Sequence, residues 1–152
     1  MNFTRALLIT ALAIFPQYAT AKTLKRDIQG FRPGMTKTEW IEHARSLGCR
    51  AEHFAVCSDN TGNFKANISF DTGKATWVMD SFKYDGSPKE ALSLVCKQFV
   101  TDCDRAKLGE PIPLGEGDFL TITQTPGNYY QVMIENPDLG RPVPKAMTVP
   151  KF

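Results

Sequence analysis

Four cysteines and two histidines are the residues in this chain best suited to chemistry. Cys49, Cys57, Cys96 and Cys103 are spaced C-x7-C and C-x6-C, and His53 falls between the first two. A Cys–His pair at that spacing could make a thiolate nucleophile, the basis of a small hydrolase or thiol enzyme. The condition is a free thiol. In an oxidising compartment an even cysteine count instead reads as two disulfides, with three connectivities open. Zinc sites favour C-x2–4-C pairs, which do not occur here, so no metal is expected. Glu39 and His43 stand at i and i+4, half a metal site if a helix carries them, but spacing indicates no third ligand. No phosphate-binding loop, serine-nucleophile elbow, zincin or dinucleotide fingerprint is present, and no cofactor is expected. The carboxylates Asp80, Asp85, Asp102, Asp104, Glu116 and Asp118 follow no pattern and read as solvated charges.

Compartment decides between thiol and disulfide. Residues 1–21 hold a short start with one positive charge, the apolar run Ala6–Phe15 and the small-x-small site Ala19-Thr20-Ala21. That is the layout of a secretory signal peptide. Its apolar run is well short of the roughly 20 residues needed to span a bilayer. The expected location is periplasmic or secreted, with all four cysteines in the exported part. Net charge is +2 and the basic residues are scattered. Neither nucleic acid nor an anionic membrane is suggested as partner.

The elements that would position these groups begin at FRPGMTKTEW, Phe31–Trp40. Thr36 as N-cap and Glu39 three residues later form a capping box. Met35 and Trp40 take the places of a hydrophobic staple. Trp40, Ile41, Ala44 and Leu47 make one apolar helix face, and Gly48 ends it. The device recurs at Ser87-Pro88-Lys89-Glu90, followed by Leu92, Val95, Cys96, Phe99 and Cys103 at helical spacing. Between the helices, Arg50–Cys57, Phe64–Phe70 and Ala75–Tyr84 read as strands. After a Pro/Gly-rich loop over Gly109–Gly117, Asp118–Gln124 and Tyr129–Glu135 read as a hairpin. Thr36 and Ser87 are 51 residues apart, which suggests a loosely repeated αβββ-αββ arrangement. Residues 22–135 make one α+β domain: two helices on one face of an antiparallel sheet of about five strands. Residues 136–152 form a Pro-rich extended tail.

Helix geometry constrains the cysteines. Along one continuous helix from Ser87 to Cys103, Cys96 and Cys103 would be about 10 Å apart, whereas a disulfide needs Cα atoms within roughly 7 Å. The expected bridges therefore run from the second unit to Cys49 and Cys57. A helix break near Thr101 would permit local 49–57 and 96–103 pairs instead.

Strand parity yields a candidate surface. Val78, Phe82, Tyr84, Leu120, Ile122, Tyr130, Val132 and Ile134 share the parity that would face the helices. The opposite parity carries Trp77, Met79, Phe119, Tyr129 and Met133, too apolar for a purely solvated face. Those five are the candidate binding residues, for another exported or envelope protein.

The stretch GFRPGMTKTEW resembles the helix-start motif of small exported bacterial proteins. These are the outer-membrane assembly lipoproteins of the SmpA/OmlA type, within the β-lactamase-inhibitor-protein-like fold. Gly30, Phe31, Arg32, Gly34, Met35, Thr36 and Glu39 carry the resemblance, with Leu47-Gly48 beyond them. It implies helices on one face of an antiparallel sheet, and binding rather than catalysis. The expected function is a non-catalytic protein-binding domain, either an inhibitor or an envelope-assembly accessory. The Cys/His-dependent enzyme and a self-associating structural envelope component are the other readings.

Overall fold

The computed structural model describes residues 22–51, 55–59, 62–69 and 72–140, with backbone alone for residues 50–51, 55–59 and 62–69. The leader reading and the tail beyond Gly140 lie outside the described residues. Both helices begin where capping chemistry places them. Helix α1 spans Lys37–Ser46 and α2 spans Pro88–Phe99. In α1 the Thr36 hydroxyl accepts from the Glu39 N–H, and the Glu39 carboxylate accepts from the Thr36 N–H at 2.7 Å. Ser87 and Glu90 repeat this at α2, with Pro88 opening the helix. These hydrogen bonds stabilise the ionised carboxylates, so Glu39 and Glu90 are held below the usual carboxylate pKa. At the far end of α1 the Gly48 N–H donates to Arg45 O and the Cys49 N–H to Ala44 O, a Schellman closure. It needs the positive φ (+74°) that Gly48 supplies.

Among the described residues seven strands form one antiparallel sheet, ordered β1-β2-β3-β4-β7-β6-β5. They are β1 Arg50–Ala51, β2 Ala55–Asp59, β3 Gly62–Ser69, β4 Lys74–Lys83, β5 Ile112–Gly115, β6 Asp118–Thr125 and β7 Tyr129–Glu135. Four of them, β3, β4, β6 and β7, are long, and the shortest lie at the two edges. The α+β class holds. The count and repeat differ from expectation, because the segment 50–57 is divided between β1 and β2 and the Pro/Gly-rich loop contains β5. Each half is thus a helix followed by a meander, and the halves join where β4 pairs with β7.

The core lies between the helices and one sheet face. Trp40 and Ala44 of α1 and Leu92, Val95, Cys96 and Phe99 of α2 are buried against Val78, Leu120, Ile122, Val132 and Ile134. In β6 and β7 burial alternates residue by residue, as a half-covered sheet requires. Fully burying each such aliphatic side chain is worth about 1.5–3 kcal/mol. Phe82 continues this face and stacks on Tyr130 at 5.5 Å.

An unforeseen element completes the layer. Residues 22–33 run along the helix side as a strap. Thr23 bridges Val100, the Leu24 N–H donates to Phe99 O at 2.7 Å, and the Thr101 N–H donates to Lys22 O. The strap thereby satisfies the C-terminal carbonyl of α2 and turns Val100 extended, at φ −137° and ψ 158°.

That break corrects the cysteine expectation. Helix α2 stops at Phe99, Cys103 folds back, and Cys96 bonds Cys103 with Cα atoms 6.0 Å apart. Bridges between the two units are therefore excluded for this pair. Cys49 is also disulfide-bonded. The register pairing Arg50 with Val56 brings the chain at Cys49 opposite Cys57.

Candidate functional site

The five candidate residues lie on one parity of three adjacent strands, opposite the helix-covered face. Pairing across β4, β7 and β6 puts them in rows. Trp77 stands opposite Glu135, which stands opposite Phe119. In the next row Met79, Met133 and Thr121 are neighbours, and then Ser81, Gln131 and Thr123. Lys83, Tyr129 and Thr125 end the series. Directly opposed side chains start about 4.5–5.5 Å apart at Cβ, so Trp77, Met79, Met133 and Phe119 form one patch. Tyr129 stands apart from it, with the Gln131 row between. Trp77, Met79, Phe119 and Met133 are each half-buried, and Tyr129 is 50% exposed. Among the described residues the helices pack on the other side.

The residues read first as chemical have structural duties. Glu39 is committed to the α1 cap. His43 donates from Nε2 to the Gln29 carbonyl at 2.8 Å and packs edge-on against Phe31, with ring centroids 4.5 Å apart. It pins the strap turn Ile28–Phe31. Gly30 in that turn has φ +84°, and an added Cβ would fall 2.5 Å from His43 Nε2. Among the described residues no group of His, Cys, Asp and Glu could hold a metal ion. Cys49, Cys96 and Cys103 carry no thiolate, since each is in a disulfide. His53 lies outside the described residues.

Two features escaped the sequence. The first is a buried ionic cluster. Asp118, read as solvated, is 3% exposed. It accepts from Arg26 Nε at 3.0 Å, from Arg26 Nη2 at 2.8 Å and from Asn136 Nδ2 at 2.9 Å. Glu116 at the rim also binds Arg26, at 2.7 Å. These acceptors, Glu116 foremost and then Asp118, raise the Arg26 pKa above the ordinary guanidinium value. The cluster ties the strap to the start of β6 and to the end of β7. The second feature corrects the tail at its start. Pro137–Gly140 is a 3-10 turn that follows β7, and Asn136 is buried rather than loose. The cluster leaves no local pattern, because Arg26 and Asp118 are 92 positions apart. The turn is local, with the Asp138 N–H donating to Asn136 Oδ1 and the Leu139 N–H to Asn136 O, so Asn136-Pro137 was its available signal.

Between strap, α2 and sheet lies a groove of about 180 Å³, lined by Lys25, Gln29, Asp80, Gln98, Phe99 and Val132 among others. It is smaller than the roughly 300–1,000 Å³ usual for small-molecule sites. The patch of Trp77, Met79, Phe119 and Met133, with Tyr129 further along the same face, therefore remains the stronger candidate. Among the described residues no helix is long and apolar enough to cross a membrane. No family profile, no curated protein and no solved structure matches this chain.

Proposed function

We propose that this chain is an exported, non-catalytic protein-binding domain that works through its helix-free sheet face. The observation that carries the proposal is the gathering of Trp77, Met79, Phe119 and Met133 on three paired strands, with Tyr129 further along. Aromatic residues and Met are enriched at protein interfaces, and contiguous apolar patches on monomers commonly have a partner. The periplasmic or secreted location rests on the leader-like first 21 residues and agrees with the Cys96–Cys103 bond, which needs an oxidising compartment. A role as inhibitor or envelope-assembly accessory rests on the resemblance at Gly30–Glu39. Several of those residues are used by the fold itself: Gly30 in the strap turn, Phe31 in the core, Thr36 and Glu39 in the cap. The thiol-enzyme reading loses ground because Cys49 is bonded.

The test is capture from an envelope extract with purified protein. Trp77→Ala and Tyr129→Ala should each weaken retention of the captured protein, while Leu94→Ala, 54% exposed on α2, should leave it unchanged. Equal retention by all three variants, or equal loss, would sink the proposal. Sedimentation of the wild type alone separates a monomeric binder from the self-associating alternative.

A further inference from the structure

The Trp77 row contains a residue that an apolar docking surface would not need. Glu135 lies between Trp77 on one side and Phe119 on the other, each directly opposite it in register. All three are half-buried. Among the described residues the Glu135 side chain makes neither an ion pair nor a hydrogen bond. The nearest rows, Met79–Met133–Thr121 and Ser81–Gln131–Thr123, bring no cation to it. Lys83 stands at the far end of the face beside Asp85 at 3.5 Å. Lys65, opposite Met79 in register, is two strands away from β7.

Geometry gives this row a specific preference. Strands are about 4.8 Å apart, so the two aromatic side chains rise roughly 10 Å from each other with the carboxylate between their bases. A planar cation entering from above would meet both rings within the roughly 6 Å at which cation–π attraction acts. Its charge would end at the carboxylate, which can accept two parallel hydrogen bonds from a guanidinium. An anionic group would meet the opposite field, and a purely apolar side chain would strand the carboxylate without a partner.

We infer that the row Trp77–Glu135–Phe119 is a seat for a basic side chain, arginine above lysine, presented by the protein that docks on this face. The inference rests on the open-face reading of the preceding subsection and names the partner's chemistry: an apolar segment carrying a cation at its centre. Trp77 and Phe119 supply the walls and Glu135 the counter-charge. Met79 and Met133 supply the adaptable apolar floor beside it.

The experiment is selection of phage-displayed random 12-residue peptides on the immobilised full-length exported chain, with eluted peptides remade synthetically. Enriched sequences should share one Arg or Lys flanked by apolar residues. Changing that residue to Gln should weaken binding about tenfold, near 1.4 kcal/mol. Glu135→Gln should weaken the parent peptide by a similar factor and leave the Gln peptide nearly unaffected, since the two changes remove the same contact. Tryptophan emission gives a local readout, because Trp40 is buried (1% exposed) and Trp77 is not. Peptides that depend on Trp77 but share no basic residue, or that ignore Glu135→Gln, overturn the cation seat and leave the face reading standing. Peptides indifferent to both Trp77→Ala and Tyr129→Ala, or no enrichment at all, overturn both.

Discussion

Replacing Arg26 by methionine should loosen the strap, and its size can be worked out from the cluster around Asp118. Methionine keeps most of the stem's apolar packing and removes the charge with its donors. Asp118, whose side chain is 4% exposed, would lose contacts at 3.0 and 2.8 Å and keep the single neutral donor Asn136 at 2.9 Å. Breaking a fully buried pair costs about 3–5 kcal/mol. The Arg26 side chain is 29% exposed, so water replaces part of what is lost, and about 2 kcal/mol is the expected value. With a urea m-value of about 2 kcal/mol/M, the unfolding midpoint should fall by about 1 M. Glu116→Gln is the control. That carboxylate is 79% exposed, and surface pairs are worth about 0–1 kcal/mol. A group whose folded pKa is raised stabilises fully below its unfolded pKa and loses that contribution only as pH rises through the folded one. For a guanidinium both lie above the working range, so Arg26 itself should add no pH dependence to the difference between about pH 6 and 9. Urea melts followed by circular dichroism are the assay. If Arg26→Met moves the midpoint no further than Glu116→Gln, the cluster does not anchor the strap and the reasoning fails.

Other outcomes follow from the same structure. Thr36→Ala and Ser87→Ala should each cost about 1 kcal/mol in urea melts, since each hydroxyl satisfies a helix-start N–H. Glu39 and Glu90 have depressed folded pKa values, so their contribution is present above the unfolded carboxylate pKa and is lost as pH falls through the folded one. Acid melts of Glu39→Gln, which removes the titrating group, should accordingly show a shallower decline below about pH 4 than wild type. Non-reduced peptide mapping should recover a Cys96–Cys103 peptide, and Cys96→Ala/Cys103→Ala should cost about 2–3 kcal/mol from loop closure. A peptide linking Cys96 to Cys49 would contradict the fold.

What could be read from the residues was local. Thr36 with Glu39 and Ser87 with Glu90 each close a ring three positions long, so type and spacing suffice. Alternation in Asp118–Thr125 and Tyr129–Glu135 is likewise a property of neighbours, and it sorted Leu120, Ile122, Val132 and Ile134 from Phe119, Tyr129 and Met133. What stayed hidden depends on partners far along the chain. Nothing beside Val100 says that α2 must stop there; the reason is Thr23, across the fold. Cys103 comes within reach of Cys96 only if α2 stops short of it, and the residues alone leave the break near Thr101 as the less favoured alternative. Asp118 looked solvated because Arg26 stands 92 positions away. Strands β1 and β5 are too short for any periodicity to register.

The lengths of the strands carry a consequence for how this protein meets others. Ten residues in β4 at the middle fall to two in β1 and four in β5 at the margins, and β5 contains Pro113. Blunted margins offer little backbone for another chain to extend the ladder. A molecule crowded among copies of itself is thus poorly templated for sideways zippering.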